Sequence, residues 1–336
     1  MKSRIVIVGN ASIDSVVTEG GVLHPRLLGG NAFHAGMSAA TFSDSVNVVA
    51  VIPRNFPLHA LDALRKKGVD LSALVLSEES VSVGELFIYN EKGDRQELLA
   101  YLSEGDDAPR CISKAELDEL VQNQPDGSAL SFPAFRQRNR VHGSDIPSHW
   151  HIAGMHLAPT ALETHRECIA LGAPIITLDP GSYLKTLSFD EVVALVNSVT
   201  VFLPSKKEMA WMLPDLTVLD ALRVLARRST SSIICKNGKE GCYVFCSEDR
   251  TIYELGTYPS NVADYTGAGD FFCGAVTTQL VAGRLVLEAA RIATVTAAYA
   301  IERMSIPARA DLDGNEILSK ENEVPWRKLE VVAREL

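Results

Sequence analysis

The chain has 336 residues, enough for one large α/β domain with an appendage or for two domains. Its 42 acidic and 32 basic residues give a net charge of −10, which disfavours nonspecific binding to nucleic acid or anionic lipid, since both need clustered Lys and Arg. With 46% hydrophobic and 22% charged residues the composition is that of a globular protein, and no run approaches the roughly 18 consecutive apolar residues of a membrane span.

The first nine residues, Met1 to Gly9, carry too few apolar residues for a signal-peptide core and read as a buried strand, so a cytoplasmic protein acting on a small molecule is expected. The six cysteines are scattered without a C-x-x-C pair and mostly lie in apolar runs, which argues against a disulfide framework or a zinc site. In chain order, strands are expected at Ile5 to Val8, Val46 to Ile52, Pro174 to Leu178, Val199 to Leu203 and Ser232 to Cys235. Helices are expected at Asn31 to Thr41, Leu58 to Lys67, Thr160 to Leu171, Phe189 to Asn197, Val218 to Ala226, Gly269 to Val281 and Val286 to Arg303. This alternation implies a central, mostly parallel sheet flanked by helices. Two stretches break the rhythm: Asp14 to Leu28, and Ser80 to Tyr101 around the turn Asn90 to Asp94. Both read as hairpins that combine into a small β-sheet lid over the carboxyl ends of the main strands. Residues 14–28 and 80–102 then form the lid, and 1–13, 29–79 and 103–336 the main domain. The polar, weakly periodic stretch from Gln122 to Ser148 reads as an irregular surface excursion.

Gly267-Ala268-Gly269-Asp270 leads directly into the helical run Phe271 to Val276, so small residues sit at a helix amino terminus. Their unpaired amides and the positive end of the helix dipole make an anion site, and Asp270 in the first turn would lie beside a phosphate bound there. A carboxylate so placed can take the proton of an attacking hydroxyl. By itself the tetrad equally describes an Asp stabilising a helix start. No Walker A sequence occurs, so a nucleotide would be held in another way.

The longer run Asp264-Tyr265-Thr266-Gly267-Ala268-Gly269-Asp270 resembles the carboxyl-terminal signature of the ribokinase/PfkB carbohydrate kinase family. Other elements follow the family's order. Gly9-Asn10-Ala11-Ser12-Ile13-Asp14 is similar to its first strand and turn, and Gly29-Gly30-Asn31-Ala32-Phe33-His34 to its amino-terminal glycine signature. Gly93-Asp94-Arg95 resembles its lid strand, Asp179-Pro180-Gly181 its D-P-N/G element, Ser205 to Glu208 its N-x-x-E element, and Lys236 to Gly241 its K/T-x-G-x-x-G turn. The resemblance implies a ribokinase-like fold and transfer of the γ-phosphoryl group of ATP to a sugar or related polyol. It assigns Asp270 as general base, the amides of Gly267, Ala268 and Gly269 as anion hole, and Ser12, Asp14, Gly30 and His34 to the substrate pocket. Lys236, Gly238, Gly241 and Thr266 would border the nucleotide, Glu208 would organise Mg²⁺ through water, and Asp264 would hold a monovalent cation such as potassium in members that use one. A homodimer through an exposed lid sheet is a further expectation.

Two departures bear on the substrate: His34 stands where the family usually has Asn, and Ile52 to Pro57 replaces a glycine-rich turn; a third, Ser205 in place of Asn, weakens one polar contact near Mg²⁺ and leaves the Glu208 carboxylate in place. A nucleoside kinase, with His34 and Phe33 stacking on a base, is therefore the alternative within the family. A catalytically silent sugar- or nucleotide-binding regulator is the alternative outside it.

Overall fold

The computed structural model describes residues 3–18, 20–81, 85–89, 95–97 and 132–335. Its strands are β1 (Arg4–Val8), β2 (Ser12–Val17), β3 (Leu23–Gly29), β4 (Val46–Val49), β5 (Val51–Ile52), β6 (Val75–Leu76), β7 (Glu85–Tyr89) and β8 (Arg95–Glu97). The series continues with β9 (Ile152–Leu157), β10 (Ile175–Leu178), β11 (Val201–Phe202), β12 (Ser232–Lys236), β13 (Cys242–Cys246), β14 (Thr251–Leu255) and β15 (Trp326–Val331). The helices are α1 (Asn31–Ala40), α2 (Asp62–Lys66), α3 (Phe132–Arg138), α4 (Leu162–Ile169), α5 (Phe189–Val196) and α6 (Lys206–Met212). They are followed by α7 (Val218–Arg228), α8 (Ala268–Val281), α9 (Val286–Ile301), α10 (Ser305–Ala308) and α11 (Gly314–Ser319).

Nine strands form one sheet in the order β15-β14-β13-β12-β11-β10-β9-β1-β4. The six from β4 to β12 run parallel and the last three are antiparallel. Period-two alternation in β1 sorts its side chains between the two faces. Val6 and Val8 join a core with Val193, Leu222 and Leu225 of α5 and α7, while Ile5 and Ile7 pack with Phe33, Phe271 and Ile292 of α1, α8 and α9. Both faces are covered, as a parallel sheet requires.

The two expected hairpins do pair, making a separate four-stranded sheet of order β3-β2-β7-β8 in which β2 and β7 run parallel. The expected turn at 90–94, with it Gly93-Asp94 of the lid motif, and residues 98–131 lie outside the described residues. Beyond them the surface excursion needs correcting: 132–138 is helix α3, and its Phe132 and Phe135 are buried in the core. The sequence reading also lacked β9, the antiparallel β13 to β15, and α6.

Helices α1 and α8 lie close enough that a Cβ on Gly274 would sit 2.2 Å from the carbonyl oxygen of Ala35. This approach brings the amino termini of two helices, each opened by a glycine turn, to the same place.

Candidate active site

Gly267 caps α8 in the left-handed region, at φ 75°, where a side chain would be strained. A Cβ there would also stand 2.4 Å from the His34 ring. Gly30 caps α1 at φ 98°, and a Cβ on it would lie 2.5 Å from the carbonyl oxygen of Asn10. Both glycines are thus dictated by backbone conformation and close approach together. Ala268 and Gly269 follow in the first turn of α8 with half-buried Asp270; the Ala268 amide donates to the Tyr265 carbonyl at 3.2 Å, and the carboxylate shares this helix end with the glycine amides.

On one side of that end lies a cleft of about 570 Å³. Ala268 and Gly269 line it together with Lys206, Lys236, Gly238, Lys239 and Gly241, and Val262, Ala297 and Ile301 supply an apolar part. Lys236, at the end of β12, pairs with the carboxylate of Asp179 and reaches the Cys273 sulfur at 3.5 Å. Burial opposes its charge, but Asp179, with Cys273 and Glu208, outweighs that and raises its pKa. Lys206 and Lys239 had no role in the sequence reading. The signal for Lys206 was its place with Lys207 in the first turn of α6, where the helix dipole disfavours cations.

Glu208 is buried, and the protein occupies both its oxygens. Oε1 accepts the Gly181 amide at 2.9 Å, while Oε2 accepts the Ser205 amide at 2.6 Å and the Ser205 hydroxyl at 2.7 Å. Ser205 therefore closes a capping box on α6. Asp179 stands within electrostatic reach of both Glu208 and Asp270. Among the described residues no three His, Cys, Asp or Glu side chains are grouped as a ready-made metal cage. These carboxylates fit a hydrated Mg²⁺ that arrives with nucleotide phosphates.

Ser12 and Asp14 of β2 are both buried, and the Ser12 backbone nitrogen lies 2.7 Å from where a Cβ on Gly30 would sit. The Asp14 carboxylate covers Gly29, whose Cβ would collide with it, and the Ser12 hydroxyl meets no hydrogen-bond partner among the described residues. The third side chain expected at the substrate, His34, is only 3% exposed, wedged between Gly267, Phe271 and Arg309. Arg309 has only donors, so its contact at 3.2 Å makes His34 Nδ1 the acceptor and puts the ring proton on Nε2, which has no partner among the described residues. Burial first, and the Arg309 charge second, hold its pKa well below the ordinary value. Phe33 is fully buried against Phe56, so base stacking by Phe33 does not occur in this arrangement.

Thr266 and Asp264 complete the loop before α8, and both are buried. The Thr266 hydroxyl meets the Tyr89 hydroxyl of β7 in the small sheet at 3.0 Å, and its amide donates to Asp264 Oδ1 at 2.8 Å. Asp264 Oδ2 pairs with Arg309 at 3.2 Å, with both side chains essentially inaccessible. The sequence reading missed Arg309 and Tyr89.

This architecture, a mostly parallel sheet flanked by helices with a small separate β-sheet, defines the fold class as ribokinase-like. The family model of the pfkB family carbohydrate kinases matches residues 147–308. Just under half of the chain is thus similar to that family of kinases. A cytidine kinase from Thermococcus kodakarensis is 23% identical over 296 residues, covering 86% of this chain and 92% of the relative. A ribokinase structure from Thermotoga maritima superposes with a TM-score of 0.66 at 16% identity, covering 96% of this chain and all of that one. Aminoimidazole riboside kinase from Salmonella enterica, solved with aminoimidazole riboside and an ATP analogue, gives a TM-score of 0.64 at 16% identity, covering 94% of this chain and 100% of that one. No helix among the described residues is long and apolar enough to cross a membrane.

Proposed function

We propose that the protein transfers the γ-phosphoryl group of ATP to a hydroxymethyl-type hydroxyl of a sugar or ribosyl compound, with Asp270 as general base. The observation that carries this reading is the glycine-capped start of α8, where Ala268 and Gly269 line a lysine-bearing cleft, Asp270 follows in the first turn, and Gly267 abuts His34 of α1, the helix that opens at Gly30. Nucleotide in the cleft would direct its terminal phosphate at the amides of residues 267–269, with Lys206 and Lys236 near the chain of phosphates. The acceptor hydroxyl would be oriented by Asp14 and Ser12 and lose its proton to Asp270 as the phosphorus–oxygen bond forms. Mg²⁺, when bound with the nucleotide through water on the Glu208 side, neutralises charge between the phosphates.

The likeness to a cytidine kinase favours a nucleoside as a second form of acceptor, with the same hydroxymethyl chemistry on its ribose. A coupled assay of ADP release against a panel of free sugars and nucleosides separates the two. With the acceptor found, Asp270→Asn should lower kcat by roughly 10² or more while an ATP analogue still binds. Full turnover by that variant would remove Asp270 from the mechanism. Ligands that raise the unfolding temperature without any ADP release would favour a silent binding protein instead.

A further inference from the structure

Arg309, just past the short helix α10, is fully inaccessible, and every one of its five N–H groups finds an acceptor. Nε donates to the carbonyls of Ala300 at 2.9 Å and Arg303 at 3.2 Å, at the carboxyl end of α9. Nη1 donates to the Thr266 carbonyl at 2.7 Å and to His34 Nδ1 at 3.2 Å, and Nη2 to the carbonyl and Oδ2 of Asp264 at 3.1 and 3.2 Å. The Phe271 ring lies 5.2 Å from the guanidinium carbon. Four backbone carbonyls and one carboxylate oxygen converging on a dry point are the ligands a weakly hydrated cation seeks, and the negative end of a helix dipole adds to them. The guanidinium, itself weakly hydrated, already sits there. A potassium ion beside Asp264 therefore does not fit this chain: the carboxylate is taken by Arg309 and by the amides of Thr266 and Ser305, and the guanidinium fills the space.

We propose that Arg309 is the built-in cation of the anion-hole loop, occupying the place of a monovalent ion beside Asp264, so that this protein works without one. Arg309 is a positioning residue. It pins the Thr266 carbonyl, one residue before Gly267, to the end of α9 and to His34 of α1, and so fixes where the amides of 267–269 point. A free ion would hold the loop only while bound, whereas a side chain holds it at any salt composition. The effect on turnover rests on the phosphotransfer reading above, but the ion binding does not.

The test compares potassium with tetramethylammonium chloride at equal ionic strength, reading both turnover and unfolding temperature. The wild-type protein should give the same values in the two salts. Arg309→Ala, which vacates the site and leaves Asp264 behind, should lose roughly 10² in turnover in tetramethylammonium. Potassium should restore part of that loss and should raise the variant's unfolding temperature but not the wild type's. Arg309→Lys, which keeps a cation, should be less impaired and less responsive. A wild type stimulated or stabilised by potassium would overturn the proposal, as would an Arg309→Ala protein that behaves alike in both salts. If Arg309→Ala does not fold, the wild type and Arg309→Lys decide alone. If no acceptor is phosphorylated, the unfolding temperatures still read the ion, separating this inference from the phosphotransfer reading.

Discussion

Gly267 shows how one residue can be fixed from two directions. Its φ of 75° strains any side chain, and the His34 ring occupies the space a Cβ would need, 2.4 Å away. Gly267→Ala should therefore cost about 2 kcal/mol or more, from strain plus overpacking. Denaturant unfolding would measure it, and turnover should fall with it because the amides at the start of α8, the proposed anion hole, would be turned. Pairing it with His34→Ala should recover the packing part and leave the strain, so the two substitutions should not add. Equal losses with and without His34 would show that the ring does not set the constraint. The glycine turns at Gly267 and Gly30 were legible in the sequence as helix openings, whereas the tetrad ending in Asp270 also describes an Asp that stabilises a helix start. Arg309 was not legible, since an arginine after Pro307-Ala308 reads as solvated, and its acceptors come from α1, the 264–266 loop and the end of α9. His34 was legible as a departure, but its role was not, because the partner that fixes its tautomer lies 275 residues away.

At the scale of elements the carriers of the site, β1, α1, β12 and α8, all announce themselves by periodicity, whereas β9 does not. The strand reads Ile-Ala-Gly-Met-His-Leu, and a glycine and a histidine inside it disguise a central strand. Packing supplies the reason for each. Gly154 admits Val281 of α8, whose Cγ2 would lie 2.3 Å from a Cβ, and His156 hydrogen-bonds to Thr177 of β10. Helix α3 was hidden in a similar way, by a polar neighbourhood around two buried phenylalanines. The contact of α1 with α8 depends on Gly274 in the same sense that β9 depends on Gly154. Gly274→Ala would press a methyl group into the backbone of Ala35, which cannot give way as a side chain can. The expected loss is about 1–3 kcal/mol, with reduced turnover because the Gly30 and Gly267 turns ride on the two helices. Unfolding midpoints and kcat of the same preparation would check it, and an unchanged midpoint would mean that the helices separate at little cost.

The whole molecule carries three buried histidines, His34, His156 and His165, on different elements around the sheet, and each is locked in a neutral form by its bonds. Nδ1 of His34 accepts from Arg309. For His156 the order of donors runs back from the Cys273 carbonyl, which accepts the Thr277 hydroxyl; that oxygen accepts from Thr177, and Thr177 from Nδ1–H of His156. His165 gives its Nε2 proton to the Ala158 carbonyl and accepts the Tyr183 hydroxyl at Nδ1. A second proton on any of the three would create a buried cation and, at His34 and His165, break or reverse a bond. Burial accordingly pushes His156 down to about 3 and His165 to about 4, and holds His34 well below its ordinary value. All three are bases depressed in the folded state, so the unfolded chain binds more protons between pH 6.5 and about 4, and stability falls as pH falls through that window. Each histidine contributes a slope of up to about 1.4 kcal/mol per pH unit, and buried Asp179, whose carboxyl is pushed up to about 7, takes up a proton in the folded state and offsets one of the three, leaving a net slope of up to about 3. The protein should therefore unfold cooperatively in mild acid, before most carboxylates titrate. Denaturant unfolding at a series of pH values gives the slope directly. Replacing His165 by Gln should reduce it by one proton, although that variant is less stable at neutral pH because the bond to Tyr183 or Ala158 is lost. A slope that is flat across the window, or that ignores this substitution, would mean that the buried rings take up their protons without unfolding the chain.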